Sequence, residues 1–288
     1  MKKEIDWRTA PLEARHAYEH KVWGPWAAKF RDDRKLRVVD DLATYFGQGR
    51  HAEGEAIVRA VGDLRGKNVL EIGCGPGGQI PLFAHAGARV WAFDLVPEVV
   101  DVARRACRVS GIEDRAEVSV SSVEDMSYPD EMFDVVVGFG VLHHVNIPLA
   151  VRQVHRVLKP GGVAVFSEPL GSNRILEWAR KHVPYPRKEE HGTDVPLTVE
   201  DVAIFAEPFR SHTVEAFYFL SMIQQVIGWR VPGLELKPGD AALFRRVPAL
   251  GRRYRAIVHS LRRADAALLR SFPGIGRYYR LAVMTFVK

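Results

Sequence analysis

Short apolar runs and helical stretches alternate between residues 66 and 170. Each run is a nearly continuous block of apolar residues, which is typical of a strand buried on both faces of a sheet. The alternation predicts a parallel sheet covered by helices on both faces, an α/β fold. The predicted strands are Asn68–Ile72, Arg89–Asp94, Glu117–Ser121, Asp134–Phe139 and Val163–Glu168, and the predicted helices are Gly77–His85, Pro97–Ser110 (capped by Gly111) and Pro148–Leu158.

Two later apolar runs, His212–Leu220 and Leu281–Val287, predict a sixth and a seventh strand. The N-terminal residues are predicted to form amphipathic helices that are rich in aromatic side chains. The predicted divisions are an N-terminal helical cap at 1–62, a core at 63–220 with a lid segment at 170–200, a basic helical insertion at 221–280, and a last core strand at 281–288.

Length and composition indicate the broad class of protein. The chain has 288 residues, of which 47% are hydrophobic and 26% are charged, enough for one large core with a cap. The sequence after Met1 lacks the apolar run of a signal peptide, and no apolar stretch is long enough to span a bilayer. Its two cysteines, Cys74 and Cys107, do not suggest a disulfide framework. We therefore expect a cytoplasmic protein.

The positive charge is concentrated in one segment. Residues 228–280 hold 12 Lys and Arg against 3 Asp and Glu, a net charge of +9, so the rest of the +6 chain carries −3. Within it, residues 252–271 have the spacing of a basic amphipathic helix. Three interpretations stay open: packing on the domain or on a second subunit of a homodimer, contact with the inner face of an anionic membrane, or binding of an anionic acceptor. Nucleic acid is the least favoured partner, because no RNA-binding module is recognisable.

A glycine-rich loop follows the first predicted strand. Gly73, Gly75 and Gly78 satisfy the dinucleotide pattern G-x-G-x-x-G, and Asp94 ends the next strand, where a carboxylate can bind ribose hydroxyls. That pattern alone allows NAD. Glu71, however, lies at the strand tip, and its negative charge would oppose a pyrophosphate and favour a cofactor that carries positive charge.

The spacing Glu71-x-Gly73-x-Gly75-x-Gly77 resembles that of the class I S-adenosylmethionine (SAM) methyltransferases. The resemblance is close over residues 66–170. It implies a doubly wound, Rossmann-like sheet of seven strands in the order 3-2-1-4-5-7-6, with strand seven antiparallel to strand five. It also implies SAM as cofactor and S-adenosylhomocysteine as product. The chain departs from the family in the long segment 221–280 between strands six and seven.

The resemblance also implies which residues contact SAM. The glycine loop and the helix that follows it would receive the amino-acid end, Asp94 the ribose hydroxyls, and Leu95 the adenine ring. Ser122 occupies the position where the family commonly has an acidic contact to the adenine amine, Val123 would supply a backbone donor, and Glu124 would compensate for the missing charge. The cofactor contacts implied are Glu71, Gly73, Cys74, Gly75, Gly77, Asp94, Leu95, Ser122, Val123, Glu124, Gly138 and Phe139.

Candidate catalytic groups follow strands four and five. Leu142-His-His144 and the carboxylate of Glu168 resemble the corresponding positions of small-molecule O-methyltransferases of natural-product and sugar type. The resemblance makes His143 the candidate base, Glu168 its orienting partner and His144 the alternative base. Equally, a His pair at this point occurs in SAM enzymes that need no base. A metal site built from these three residues is not favoured, and His191 is a weaker candidate.

These patterns together predict methyl transfer to a small-molecule acceptor, at the hydroxyl oxygen of a lipid-like or glycosylated secondary or envelope metabolite. The alternatives are methylation at carbon or nitrogen, or a SAM-fold partner subunit without catalysis, because the fold does not fix the acceptor. The acceptor pocket is expected beneath the N-terminal helices and the segment 170–200. The candidate contributors from the N-terminal helices are His16, Tyr18, His20 and Trp23.

Overall fold

The computed structural model describes residues 11–30, 41–47, 53–171, 195–220 and 248–288, and the single positions 32, 33, 36, 38, 173, 178 and 182; of residues 248–255 and 277 it describes the backbone only. His191, most of the segment 170–200 and residues 221–247 lie outside the described residues. The chain divides into two compact units. Unit 1 draws on 1–168, 193–214 and 283–288, and unit 2 on 169–192 and 215–282. The domain boundaries inferred from the sequence stay a prediction.

A sheet of seven strands in the order β3-β2-β1-β4-β5-β7-β6 forms the fold, which confirms the predicted order. The pairs from β3 to β5 are all parallel. The strands are β1 (Asn68–Ile72), β2 (Arg89–Asp94), β3 (Ala116–Val120), β4 (Phe133–Phe139), β5 (Leu158–Pro169), β6 (Ser211–Phe217) and β7 (Leu281–Val287).

Helices connect the strands, as the alternation predicts. They are α1 (Leu12–Ala27), α2 (Leu42–Gly47), α3 (Gly54–Val61), α4 (Ile80–His85), α5 (Pro97–Ser110), α6 (Ile147–Val157), α7 (Val199–Ala206) and α8 (Pro248–Ser271). Short 3₁₀ turns lie at Leu142–His144 and Pro273–Tyr278. None of the described helices is both long and apolar enough to cross a membrane.

Local sequence explains where α5 and α6 begin and end. Each carries a proline in its first turn, where the missing N–H costs no hydrogen bond. Gly111 ends α5 at φ +67°, the left-handed conformation that glycine adopts easily. The side chain of Asn146 caps α6 by accepting a hydrogen bond from the backbone N–H of Leu149 at 3.1 Å.

Two predicted starts were wrong by three residues or more, and β6 ends at Phe217 and not at Leu220. Helix α4 begins at Ile80 and not at Gly77, because residues 75–79 form turns around the glycine loop. Strand β5 begins at Leu158, so the Lys-Pro-Gly-Gly segment belongs to the strand and does not precede it. The reason is pairing with the C-terminal strand: the Gly161 N–H donates to the Lys288 carbonyl at 3.1 Å, and the Lys288 N–H donates to the Gly162 carbonyl at 3.0 Å.

Strand β7 runs antiparallel to β5, as the family resemblance implies. Gly161, early in β5, bonds to Lys288 at the end of β7, whereas the N–H of Leu170 after β5 bonds to the carbonyl of Arg280 before β7 at 2.8 Å. The order of partners along one strand is therefore the reverse of that along the other.

The N-terminal helix α1 packs on α5 in unit 1. Trp23, Trp26 and Phe30 lie against a buried cluster that includes Ala27, Val96, Val99, Val102 and Ala106. The prediction that this region is amphipathic was wrong for α1, because the residues it buries are Arg15, Glu19 and Ala27. Two of these three are charged, and their contacts with Glu124 and His144 are described with the candidate site below.

In unit 2, α8 confirms the helix predicted at 252–271. The helix is anchored by Asp265, which is buried and accepts hydrogen bonds from the backbone N–H groups of Phe219 (3.2 Å) and Leu220 (2.7 Å). The hydroxyl of Tyr279 donates to the Asp265 carbonyl at 2.6 Å. Asp265 is the only acidic residue of the helix, and these bonds fix it to the adjoining chain.

Candidate cofactor and acceptor site

The candidate site lies where the strand order of unit 1 reverses. β1 has β2 on one side and β4 on the other, all parallel, so their carboxyl ends meet at one edge of the sheet. In doubly wound sheets ligands bind at this topological switch point. The loops after these three strands carry the residues that the sequence singled out.

The glycine loop after β1 needs its glycines for different reasons. Gly73, Gly75 and Gly77 have φ values of +62°, +53° and +76°, which other L-residues rarely adopt. A Cβ on Gly73 would lie 2.7 Å from Val141 Cγ2, and one on Gly77 would lie 2.9 Å from Ala103 Cα. A Cβ on Gly75 would meet no atom of the described residues within 4 Å. Protein packing therefore accounts for the glycines at 73 and 77, whereas Gly75 borders open space.

Cys74 ties this loop to the neighbouring strand through its backbone. Its N–H donates to the Phe93 carbonyl at 3.0 Å. Its thiol is buried, and burial together with the charges of Asp94 and Glu71 raises the pKa of Cys74 well above its usual value. The thiol is therefore not a nucleophile at neutral pH.

Glu71, at the tip of β1, is a buried acid with an unused oxygen. It is 1% exposed, and its Oε2 accepts no hydrogen bond from any described residue. Burial first, and the charge of Asp94 second, raise the pKa of Glu71 to about 8. The standing negative charge expected from the sequence is thus absent at neutral pH in the ligand-free protein. A cation placed beside Glu71 would restore the charge.

Asp94 ends β2 and faces the same loop. Its Oδ2 accepts the Gly75 N–H at 3.0 Å and its Oδ1 accepts the Val96 N–H at 3.1 Å. Burial nevertheless raises the pKa of Asp94. Each carboxylate oxygen can accept a further hydrogen bond, so the two hydroxyls of a ribose fit this group. Leu95 is half-buried beside it, and Val96 packs in the cluster between α1 and α5.

The loop after β3 is occupied by contacts within the protein. The Ser122 hydroxyl accepts the Glu124 N–H at 3.2 Å, and Val123 is buried. The Glu124 carboxylate binds both terminal nitrogens of the Arg15 guanidinium, one of them at 2.6 Å, and accepts the Asn146 N–H at 2.7 Å. The assignments of Ser122, Val123 and Glu124 to adenine stay predictions, but the carboxylate of Glu124 is bound by Arg15 and by the Asn146 N–H.

The end of β4 is tightly packed. A Cβ on Gly138 would lie 2.7 Å from Val141 Cγ1 and 2.8 Å from Phe166 Cδ1, so only glycine fits. Phe139 stacks on Phe46 of α2 and on Phe83 of α4, with ring centroids 5.7 Å and 6.5 Å apart. Their roles as cofactor contacts stay predictions. The structure shows that both residues are closely packed at the carboxyl end of β4.

His143 and Glu168 come together as the resemblance implies. The carboxylate of Glu168, 0% exposed, accepts the backbone N–H groups of Val141 (2.7 Å) and Leu142 (2.8 Å) on Oε1. Its Oε2 lies 2.7 Å from His143 Nδ1. Because a carboxylate accepts, Nδ1 carries the proton in the neutral ring and Nε2 carries the lone pair. No group of three metal-ligating side chains occurs among the described residues.

His144 contacts two residues of α1, the candidate Trp23 and Glu19, which the sequence did not single out. Its Nδ1 lies 3.2 Å from Glu19 Oε1, and its ring packs edge-on against Trp23 at 6.4 Å between centroids. Among the other α1 candidates, His16 is half-buried, with its pKa lowered by burial, and His20 is exposed. The signal that could have revealed Arg15 and Glu19 is their spacing of four, which puts both charges on one helix face.

Comparisons with known proteins agree with this geometry. A family model described as a methyltransferase domain matches residues 70–166. A ubiquinone biosynthesis O-methyltransferase of Xanthomonas oryzae pv. oryzae is 43% identical over 109 residues, covering 36% of this chain and 44% of that protein. A sterol 4-C-methyltransferase of Caenorhabditis elegans is 26% identical over 197 residues, covering 62% of this chain and 58% of that protein. This chain thus spans less than half the length of the first of these relatives.

A solved structure shares the fold over nearly its whole length. The geranyl diphosphate C-methyltransferase from Streptomyces coelicolor, in complex with Mg²⁺, geranyl diphosphate and S-adenosylhomocysteine, superposes with a TM-score of 0.55 at 14% identity. The superposition covers 96% of this chain and 99% of that one. Likeness at this identity shows the fold alone. The strand order and the match over residues 70–166 together identify this part of the chain as a class I SAM-dependent methyltransferase domain.

Proposed function

We propose that this chain binds SAM and transfers its methyl group to a hydroxyl oxygen of a small molecule. The observation that carries the proposal is Glu71. A buried acid with an oxygen that accepts no hydrogen bond from the described residues is costly, and such groups persist where a ligand supplies the partner. It lies beside Asp94 at the switch point of the sheet, where a nucleoside cofactor with a positive charge fits both groups.

The residues at the sheet edge would hold the cofactor. Asp94 would accept the ribose hydroxyls, the backbone around Gly75 would border the amino-acid end, and Glu71 would face its positive charge. When bound, SAM supplies a methyl carbon on a positively charged sulfur and leaves as S-adenosylhomocysteine. A dinucleotide would instead set a pyrophosphate near Asp94 and would offer Glu71 no positively charged partner.

His143 is the group proposed to take the proton of the acceptor hydroxyl. Glu168 fixes its tautomer by accepting Nδ1–H at 2.7 Å, so that Nε2 is the basic nitrogen. Glu168 is itself held in place by two backbone N–H groups, those of Val141 and Leu142, which donate to its Oε1. The protonated imidazole then lies next to a carboxylate that stabilises its charge. A positioned base of this kind contributes about 10²–10⁴-fold to a rate.

The choice of oxygen over carbon or nitrogen is also part of the proposal. The relatives are named for both O-methylation, in ubiquinone biosynthesis, and C-methylation, of a sterol. The buried His143–Glu168 pair favours oxygen, because a hydroxyl must lose a proton as it is methylated. A lipid-like or glycosylated acceptor stays the proposed class. SAM binding by the wild-type chain without methylation of any acceptor would instead favour a partner subunit without catalysis.

Unit 2 supports a proposed contact with an anionic membrane. The described exposed face of α8 carries Arg263 and Arg270, while its one acid, Asp265, is buried. Two apolar side chains, Ile257 (60% exposed) and Phe272 (64% exposed), lie at the two ends of the described part of this helix. Arginines with flanking apolar residues suit an interface with anionic lipid.

The decisive experiment for the proposed function has two parts. Calorimetry should show SAM binding and no NAD binding by the full chain, with SAM affinity reduced in Asp94→Asn and unchanged in the surface control Asp101→Asn. Mass spectrometry of a metabolite extract incubated with the protein and isotopically labelled SAM should then reveal the methylated acceptor. NAD affinity without SAM affinity would refute the proposal.

A further inference from the structure

The buried charges of α1 require an explanation, because a helix that packs on a domain normally buries apolar residues. Arg15 and Glu19 are both buried and lie one helical turn apart. Arg15 is explained by its paired hydrogen bonds to Glu124. The burial of Glu19 is not explained by a comparable set of hydrogen bonds among the described residues.

The carboxylate of Glu19 is only partly satisfied. The residue is 8% exposed, and Oε1 accepts no hydrogen bond from the described residues. His144 Nδ1 lies 3.2 Å from this oxygen, close enough for an ion pair but outside hydrogen-bond geometry. A buried carboxylate with an unused oxygen is costly, so an external hydrogen-bond donor would stabilise it.

Glu19 lies beside the histidine pair of unit 1 and near enough to Asp94 for its charge to act there. Its charge, after the larger effect of burial, contributes to the raised pKa of Asp94. Glu19 also pairs with His144, and the ring centroids of His144 and His143 are 4.0 Å apart. The side chain of His144 is 17% exposed against 7% for His143, so the His144–Glu19 pair is the more accessible of the two imidazole–carboxylate pairs.

We propose that Glu19 and His144 form an acceptor-binding site, in which the free oxygen of Glu19 receives a hydrogen-bond donor of the acceptor, a hydroxyl or a protonated amine. The inference rests on the proposed function and narrows its substrate class. Glu19, Asp94 and Glu71 are acids, and the nearby Arg15 is already paired with Glu124. An acceptor whose entering group is a phosphate or a carboxylate would be repelled by this part of the site.

The first test separates this inference from the proposed function. Calorimetry on the full chain should give SAM affinities for wild type, Glu19→Gln, His144→Asn and the exposed control Glu13→Gln that agree within about twofold. A loss of about tenfold or more in Glu19→Gln would assign Glu19 to the cofactor and overturn the inference. Absence of SAM binding by the wild-type protein would refute the proposed function itself, whatever Glu19 does.

The second test uses two small probes of similar size in the presence of S-adenosylhomocysteine. Catechol offers hydroxyl donors, whereas phenyl phosphate is an anion. Titrations followed by NMR should show catechol binding in preference to phenyl phosphate, weakened about tenfold in Glu19→Gln and in His144→Asn but not in Glu13→Gln, because a charged acceptor forms the stronger hydrogen bond. Preference for phenyl phosphate, equal catechol binding by all variants, or no binding by any of them would overturn the inference.

A third measurement excludes a merely structural role. Because Glu19 is incompletely satisfied, Glu19→Gln should leave the free energy of unfolding of the ligand-free protein unchanged or raise it. A loss of about 2 kcal/mol or more would show that the carboxylate is needed for the fold and would contradict a ligand-binding role. His144→Asn keeps the inference testable if Glu19→Gln fails to fold.

Discussion

Glu71 and Asp94 stand at the ends of two neighbouring parallel strands, and the charge of Asp94 adds to burial in raising the pKa of Glu71 to about 8. Two acids this close cannot both be charged at low cost inside a protein. The pair is therefore a source of strain in the ligand-free protein and a source of affinity for a cation. The first two predictions separate these two effects.

Glu71→Gln should stabilise the ligand-free protein at alkaline pH. Between the ordinary pKa of about 4.5 and the folded value of about 8, the folded chain holds a proton that the unfolded chain has lost, so stability falls as pH rises through this window. The loss is on the order of 5 kcal/mol above pH 8. Urea unfolding at about pH 5 and about pH 9 should show this slope for wild type and a smaller one for Glu71→Gln. The exposed control Glu117→Gln should keep the wild-type slope, and equal slopes in all three proteins would contradict the prediction.

SAM binding should release a proton from Glu71. A cation beside the carboxyl group lowers its pKa from about 8, so affinity should increase from about pH 6 to about pH 8 and then level off. Calorimetry in two buffers of different ionisation enthalpy measures the proton count directly. Glu71→Gln should bind SAM more weakly and release no proton. Proton uptake, or affinity independent of pH, would show that Glu71 does not face the positive charge.

Gly73→Ala should act mainly on stability, whereas Gly75→Ala should act mainly on SAM binding. Ala at 73 combines a φ of +62° with a Cβ 2.7 Å from Val141, so it should lower the free energy of unfolding by about 2–4 kcal/mol. Ala at 75 meets no atom, so it should cost only about 1 kcal/mol but weaken SAM binding. Gly66→Ala, with a φ of +71° and open space, is the control for backbone strain away from the site. The prediction fails if Gly75→Ala binds SAM as wild type does.

His143→Ala should lower turnover of the acceptor by about 10²-fold or more while SAM affinity is retained. The reason is the loss of the basic Nε2 that Glu168 orients. Steady-state kinetics with the acceptor found by mass spectrometry, and calorimetry with SAM, measure the two quantities. The exposed His85→Ala should behave as wild type does. Unchanged turnover in His143→Ala would mean that positioning alone suffices or that another group takes the proton.

Membrane contact should depend on the exposed arginines of α8. Sedimentation with vesicles that contain phosphatidylglycerol should recover wild type, and recovery should fall with added salt and in the double variant Arg263→Glu/Arg270→Glu. Arg108→Glu/Arg115→Glu makes the same charge change on exposed residues of unit 1 and should bind as wild type does. Equal recovery of both double variants would show that overall charge, and not this helix, is responsible.

Much of the fold could be predicted because short stretches of sequence determine where its strands and helices begin and end. The bounds of β1, β2 and α5 follow from apolar runs, first-turn prolines and the glycine cap at 111. The start of β5 could not be predicted, because the Lys-Pro-Gly-Gly segment is a turn signal by itself and becomes strand through the pairing of Leu158 with Phe133 and of Gly161 and Gly162 with Lys288. Local propensity was overridden there by a partner more than a hundred residues away in sequence.

The same distinction applies to the site. The glycine loop, Asp94 and the His143–Glu168 pair follow motifs of fixed spacing on adjacent strands, so family resemblance brings them together. The pairing of Arg15 with Glu124 joins residues 109 positions apart, and that of Glu19 with His144 depends on where α1 lies. No spacing rule predicts which residues they contact, and the sequence shows only two charges four residues apart on one helix face.

Strand β7 comes last in the sequence but lies between β5 and β6 in the sheet. During synthesis β6 therefore has no strand to pair with until residues 281–287 have left the ribosome, and the outer side of β5 stays open for the same interval. An unpaired strand edge invites association with other chains. A nascent chain stalled in the insertion would present two such edges at once, so aggregation on slow or incomplete translation is the hazard that this topology carries.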